Sequence, residues 1–343
     1  MDEDVVEFFR ALGAGRLGAK IYCALLASGP LSLSKLSEET GIVAPQLHQY
    51  LRRLIALGLI EVSRGKPNVY RAVPLNVLEA VYGEKLERVR ERALKKLSSI
   101  PKRARLDERE YGVFVVRSWR TFRSRVLEAI RSASYDLLMC GDSAFIRAYW
   151  DELKRKEEEG TNLYVILYEV PGIPANENEA KTSRVRKAVS GDFMVISDSR
   201  IALVAQRRIG PRDTPEYGLA VEEPVLIDYL QHEFFHRWQR SSVVRDRLPR
   251  LPTTYTVLRL ALVDAKKLLS EGKRLRVTAY GRFVGAKSET VVEGLVAGVT
   301  LDQTAGIAHF TLETPAGTIR VGGPDAIVEE FAAHKIELRE AYG

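Results

Sequence analysis

Near the start of the chain, apolar and polar positions alternate with the period of an α-helix. In LGAKIYCALLAS, residues 17–28, Leu17, Ile21, Ala24, Leu25 and Ser28 fall on one face, and Gly29-Pro30 ends the predicted helix. A second, short helix is predicted in LSLSKLSEETG, with Ser32 or Ser34 as its N-cap, Leu33 and Leu36 inward, and Gly41 left-handed after the last turn. The third, APQLHQYLRRLIALG, carries Pro45 in its first turn, where a missing N–H costs nothing, and the stripe Leu47, Leu51, Leu54 and Leu57; Gly58 closes it. LIEVSRGKPNVYRAV then predicts two short strands about the turn Arg64-Gly65-Lys66-Pro67-Asn68. Beyond it Leu75, Leu78, Tyr82, Leu86, Val89, Ala93, Leu97 and Ile100 are spaced by three and four. That stripe makes a coiled-coil seam or packs on a neighbouring domain, and Pro101 ends the helix.

From Tyr111 to about Leu248 strands and helices alternate: GVFVVRS, the helix TFRSRVLEAIRSA, YDLLMCG, the helix SAFIRAYWDELKRKEEEG, and LYVILYEV. After a polar stretch come the hairpin DFMVISDS and RIALVAQ, the strand EYGLAVE, and a closing helix PVLIDYLQHEFFHRW, a pattern that argues for a sheet covered by helices. Arg245 to Pro252 is basic and proline-rich and reads as a linker, while Val257 to Leu269 is a helical pattern able to pack on either side of it. After Lys273, LRVTAYGRFVGA, TVVEGLVAGVTLD, IAHFTLETP and GTIRVGG predict four short strands with glycine turns, a small β barrel or sandwich.

A helix, a glycine turn and a second helix with one polar face is the arrangement that lays a recognition helix in the major groove of double-stranded DNA. Opposite the leucine stripe of the third helix stand Gln46, His48, Gln49, Arg52 and Arg53, residue types that read base edges or grip phosphates. The hairpin that follows presents Arg64 and Lys66 and reads as a wing. Charge agrees: between Gly41 and Pro74 five bases (Arg52, Arg53, Arg64, Lys66, Arg71) face one acid, Glu61, and Lys95 to Arg105 holds five more bases and no acid. The net charge of +7 thus gathers in the first third of the chain, where a polyanion would bind. The alternative is a helical bundle with a solvated charged face, against which the order of helices and basic hairpin argues.

The stretch GLIEVSRGKPNVYRAVP resembles the wing of the TrmB family of archaeal sugar-responsive transcriptional regulators, and the likeness extends in outline over the whole chain. It implies a multidomain α+β fold: a winged helix-turn-helix over 1–74, a coiled-coil linker over 75–105, a phospholipase D-like α/β domain without catalytic motif over 106–250, and a C-terminal β domain over 251–343. The stripe from Leu75 to Ile100 is read as the contact of a homodimer, because helix-turn-helix proteins usually read paired half-sites. One departure is His48, which stands where the family usually has Tyr. In RVGGPDAIVEEF, Gly322-Gly323 would let a ligand approach the backbone and Glu329 could accept from two sugar hydroxyls, although an ordinary strand-ending turn reads the same way. The resemblance favours the site, because Gly323 and Glu329 match the family's sugar-contacting glycine and glutamate. The family's upstream asparagine falls on Ala308, so either the mono- or disaccharide differs or Gln303 substitutes for it.

Several classes are excluded or unsupported. No run reaches the about 18 apolar residues of a membrane span, and the acidic start MDEDVVEFF is unlike a basic leader, so a cytoplasmic location away from membranes is expected. Cys23 and Cys140 sit in apolar stretches as small hydrophobes. Phospholipase D enzymes use a histidine nucleophile in His-x-Lys-x-x-x-x-Asp, and this chain has no histidine between His48 and His232. His232-Glu233-Phe234-Phe235-His236 matches the zinc pattern H-E-x-x-H, yet only His309 and His334 remain downstream as third imidazoles. Packing through Val225, Leu226, Tyr229, Leu230, Phe234 and Trp238 explains that helix, so neither catalytic residue, metal nor cofactor is expected. The leading reading is a sugar-controlled repressor or activator, and its competitor a ligand-independent architectural DNA protein.

Overall fold

The computed structural model describes residues 2–100, 112–207, 210, 213–302 and 306–341, and all their side chains except those of 81, 85 and 86. Pro101, Lys102, Arg103, Arg105 and Gln303 therefore lie outside the described residues, as does the side chain of Leu86. The chain divides into two compact units, Met1–Asp107 and Glu108–Gly343.

The first unit opens with a helix absent from the expected elements, α1 (Glu3–Ala11). Asp2 caps it, accepting from the Asp4 N–H at 2.9 Å, and Val6 and Phe9 are buried beneath it. The helix α2 (Gly15–Ser28) starts slightly earlier than expected. Ser28, placed inward by the spacing, is exposed; Tyr22 takes that face, packs on Phe9 at 5.0 Å between ring centroids and donates to the Val73 carbonyl at 2.6 Å. A two-residue strand β1 (Leu31–Ser32) leads into α3 (Leu33–Thr40), with Ser32 as the cap and Gly41 at φ 66 after it. Then come α4 (Ala44–Ala56), β2 (Ile60–Ser63), β3 (Val69–Ala72) and α5 (Leu75–Ser98). Leu47, Leu51 and Leu54 are buried as expected, and β1 joins the hairpin to give a three-stranded sheet, β1-β3-β2. On α5 the stripe divides: Leu78 and Tyr82 are buried in the same core as α4, whereas Leu75, Val89, Ala93, Leu97 and Ile100 are exposed.

The second unit holds β4 (Val113–Val116), α6 (Trp119–Ser132), β5 (Asp136–Asp142), α7 (Ser143–Arg147), α8 (Trp150–Glu158), β6 (Asn162–Glu169), β7 (Arg184–Val189), β8 (Asp192–Ser197), β9 (Ile201–Gln206), β10 (Gly218–Val221), α9 (Pro224–Arg240) and β11 (Ser242–Asp246). Their eight strands form one mixed sheet in the order β11-β7-β6-β5-β8-β9-β10-β4. The predicted single helix after β5 is two, α7 and α8. The polar stretch contains β7, and the basic linker begins inside β11, which takes in Arg245 and Asp246. Every residue of β5 is buried because both faces of the sheet are covered: Leu137 and Met139 pack on the α6–α8 side, Leu138 and Cys140 on the other.

That other side meets α9 and the rest of the chain: β12 (Thr253–Tyr255), α10 (Leu258–Ser270), β13 (Leu275–Phe283), β14 (Thr290–Asp302), β15 (Ile307–Thr314), β16 (Gly317–Gly322) and β17 (Phe331–Glu340). The last strand, absent from the expected four, runs antiparallel to β13 and parallel to β16, and so closes a barrel rather than a sandwich. One continuous core joins Tyr164, Phe234 and Trp238 of the sheet and α9 to Leu260 of α10 and to Phe310 and Leu338 of the barrel. The expected stripe on α9 is corrected accordingly: Ile227, Gln231, Phe234, Phe235 and Trp238 are buried, while Val225, Leu226 and Tyr229 are exposed. Asp136 ties β5 to the start of α10, accepting from the Thr256 and Val257 N–H groups; burial pushes its carboxyl up to about 7. Among the described residues no helix is long and apolar enough to cross a membrane.

Candidate functional sites: an outward basic helix face and a barrel-side cavity

On α4 the burial of Leu47, Leu51 and Leu54 turns the opposite face outward, and Gln46, His48, Gln49, Arg52 and Arg53 are all exposed there. In the β2–β3 hairpin Arg64 and Lys66 are exposed too, while the turn is held by Asn68, whose side chain accepts from the Gly65 N–H at 3.2 Å. Arg71, the fifth base of this region, is engaged in an ion pair with Glu61. Among the described residues none of Arg52, Arg53, Arg64 and Lys66 is in an ion pair, so their charge is available to phosphates. Replacing Arg52 and Arg53 by Ala is expected to weaken DNA binding and to lower the slope of log affinity against log salt by about 0.9 for each phosphate that is no longer neutralised. Titrations across a salt series check this; an unchanged slope and affinity would place the recognition surface elsewhere.

The second site is a cavity of about 510 Å³ between α9, the first turn of α10 and one end of the barrel. Gly323, Glu329 and Ala308 line it, so the structure brings three of the positions singled out in the sequence to one place. Gly322 stands behind them: a Cβ there would lie 2.9 Å from the Glu329 Cδ and 2.8 Å from the Ala326 Cβ, so only glycine lets the Glu329 side chain fold in. The paired acids part company. Glu330 accepts from the Arg320 backbone and guanidinium and is pushed down to about 2 by that pairing, while Glu329 is buried at the cavity wall.

The structure adds residues that sequence reasoning does not group: Gln231 and His232 from α9, Arg259 from α10, and His309 from β15. His309 is buried, its Nδ1 lies 3.7 Å from a Glu329 oxygen, and desolvation holds its pKa below the usual value. The zinc pattern does not assemble as a site. His236 is exposed, Glu233 pairs with Arg237 at 2.7 Å, and His232 turns instead to Asp228 at 3.8 Å. Asp228, His232 and Asp325 do place one ligand atom each within 4.8 Å of one another. The Arg259 Nε, however, stands 3.3 Å from the His232 Nε2, a fixed positive charge where a cation bound to that nitrogen would be.

Comparison with known proteins follows this division. Residues 9–76 match the model of the sugar-specific transcriptional regulator TrmB, 112–245 the EBD N-terminal subdomain of TrmB, and 250–341 the EBD C-terminal subdomain of TrmB/TrmBL1. The chain is 23% identical to the HTH-type sugar sensing transcriptional regulator TrmBL1 of Pyrococcus furiosus, over 98% of this chain and 99% of that one. It is 25% identical to the HTH-type regulator TrmBL2 of the same organism, over 66% of this chain and 92% of the relative. Among solved structures, TrmBL2, described as an archaeal chromatin protein, matches with a TM-score of 0.41 at 23% identity, covering 70% of this chain and 98% of that one. Nuc of Salmonella typhimurium, a phospholipase D family member, matches with a TM-score of 0.31 at 17% identity, over 40% of this chain and 100% of Nuc.

Proposed function

We propose that this chain, which belongs to the TrmB family of DNA-binding transcriptional regulators, is controlled by a small sugar seated in the barrel-side cavity. The observation that carries the reading is the meeting of Gly323 and Glu329 in one cavity, with Gly322 behind them, large enough for a mono- or disaccharide. A buried carboxylate beside glycine backbone at the cavity wall suits a neutral polyol, since it accepts from hydroxyls and needs no counter-ion from the ligand. The recognition face of α4 and the wing would carry the DNA contacts, with Gln46, His48 and Gln49 toward bases and Arg52, Arg53, Arg64 and Lys66 toward phosphates. Any sugar that changes affinity for DNA must then have its own affinity changed by DNA to the same extent.

The same reading takes the sheet and its helices as a phospholipase D-like layer that serves as scaffold, and α5 as half of a coiled coil between two copies. The exposed Val89, Leu97 and Ile100 support the latter, because a paired helix would cover them. A mass of one chain in light scattering would remove the dimer.

Calorimetry with maltose, trehalose, sucrose and glucose, in parallel with footprinting on genomic DNA, tests the whole. Glu329→Ala should lower sugar affinity about ten- to a hundredfold, the cost of a charge-assisted hydrogen bond, and leave sugar-free DNA binding unchanged. No heat from any sugar, together with uniform coating of any duplex, would instead establish the architectural role.

A further inference from the structure

We propose that His309 is a direct sugar contact, and that its imidazole and the Glu329 carboxylate hold one and the same ligand hydroxyl. The inference rests on the sugar reading of the cavity and adds to it a residue and a required chemical group.

The starting point is an unmet bond. His309 is 8% exposed, and its Nδ1 is fully buried without a hydrogen-bond partner. Buried polar atoms are almost always paired, so an unpaired one on a residue of a cavity wall is a candidate for a ligand's hydrogen bond. Across from it, Glu329 is also 8% exposed, and its one polar side-chain contact among the described residues is with His309. Nδ1 and the nearer Glu329 oxygen are 3.7 Å apart, too far to bond each other. An oxygen placed between them can nevertheless stand about 2.8 Å from both. Both residues line the cavity, so a ligand that displaces the atoms now covering Nδ1 reaches that position.

Among the groups a sugar offers, only a free hydroxyl satisfies both sides, in the place of a water. Its oxygen accepts from the Nδ1–H of a neutral imidazole, and its own proton goes to the carboxylate. A methoxy group has no proton to give Glu329, and an anionic group would face that carboxylate at close range. The alternative, a charged imidazole bonded straight to Glu329, is opposed by burial, which lowers the His309 pKa despite the adjacent acid. The other charges facing His309 are Arg320 and Glu330, which neutralise each other in their own ion pair.

The test compares His309→Leu with His309→Asn, whose amide can place a donor near the position of Nδ1, using the tightest binder among maltose, trehalose, sucrose and glucose. His309→Leu should weaken binding about ten- to a hundredfold, since it also leaves Glu329 short of a shared partner, while His309→Asn should stay within about threefold of the parent. Thermal unfolding and sugar-free DNA binding should be unchanged in both. If His309→Leu binds like the parent while Glu329→Ala does not, the inference falls and the sugar reading stands. Equal loss in the Leu and Asn variants would also overturn it, by showing that the ring only packs. If the parent chain takes up none of the four sugars, both fall together.

Discussion

Asp264→Ala is expected to destabilise the second unit, Glu108–Gly343, by about 3 to 5 kcal/mol, the cost of stranding a buried charge. Asp264 is 1% exposed and its partner Arg184 is 3% exposed. One oxygen, Oδ2, accepts from the Arg184 Nη1 at 2.5 Å, from the Tyr164 hydroxyl at 2.7 Å and from the Tyr255 hydroxyl at 2.8 Å. Arg184 also donates to Asn162 at 3.1 Å and lies over the Tyr164 ring at 4.5 Å. The four elements that meet here are β6, β7, β12 and α10, so this network fastens the barrel side to the sheet. Removing the carboxylate leaves a guanidinium with no counter-charge and two buried phenols with no acceptor. Urea unfolding would read the loss as a lower midpoint. Adding Arg184→Met should restore part of it, because the pair is costly mainly when broken. A loss below about 1 kcal/mol would mean that water reaches the guanidinium.

Gly281→Ala should cost about 3 kcal/mol or more and abolish the sugar binding proposed above at the same time. Gly281 lies where β13 and β17 shift register, so that Tyr280 pairs with Lys335 but Gly281 pairs with Ala333. A Cβ there would lie 2.0 Å from the Ala332 carbonyl oxygen and 2.8 Å from the Ala333 Cα. These are backbone atoms, so no rotamer change relieves the clash and the two strands must part. They are the strands that close the barrel, and the segment entering β17 carries Glu329. Gly285→Ala is the control: at φ 87 with open space around it, it should cost only about 1 kcal/mol. Similar midpoints for the two variants, by thermal unfolding, would show that the strands can separate without loss.

The difference between what can and cannot be read from the sequence lies in where charge ends up. On α4 the leucine stripe and the opposed arginines both obey the simple rule, so the helix and its outward face are evident. In β7, RVRKAV hides a strand because Arg184 and Arg186 are inside, the first paired with Asp264 and the second over the Trp238 ring at 4.6 Å. The same holds for FAAHKIELRE in β17, whose charged residues mask the alternation of Phe331, Ala333, Ile336 and Leu338. On α9 the spacing alone allows two faces, and only the position of the barrel decides that Gln231 is inside and Tyr229 outside. Glu329 is found through family likeness, not periodicity. His309 enters only as a third imidazole for zinc, since nothing local to IAHFTLET says that one of its polar side chains lacks a partner.

The continuous core that runs from the sheet through α9 and α10 into the barrel sets a rule for building chimaeras. The seam between the two matched subdomains, near residue 250, looks like a natural place to graft a new specificity. A cut there would nonetheless sever Trp238 and Phe234 from Leu260 and Phe310, and leave Arg184 in one parent facing a foreign residue where Asp264 had been. The proposed sugar preference should therefore be transplanted as the whole block from 112 to 341, or altered by point changes at the cavity wall. The junction that tolerates shuffling is the one before residue 112, where the core of the winged helix ends and a separate one begins.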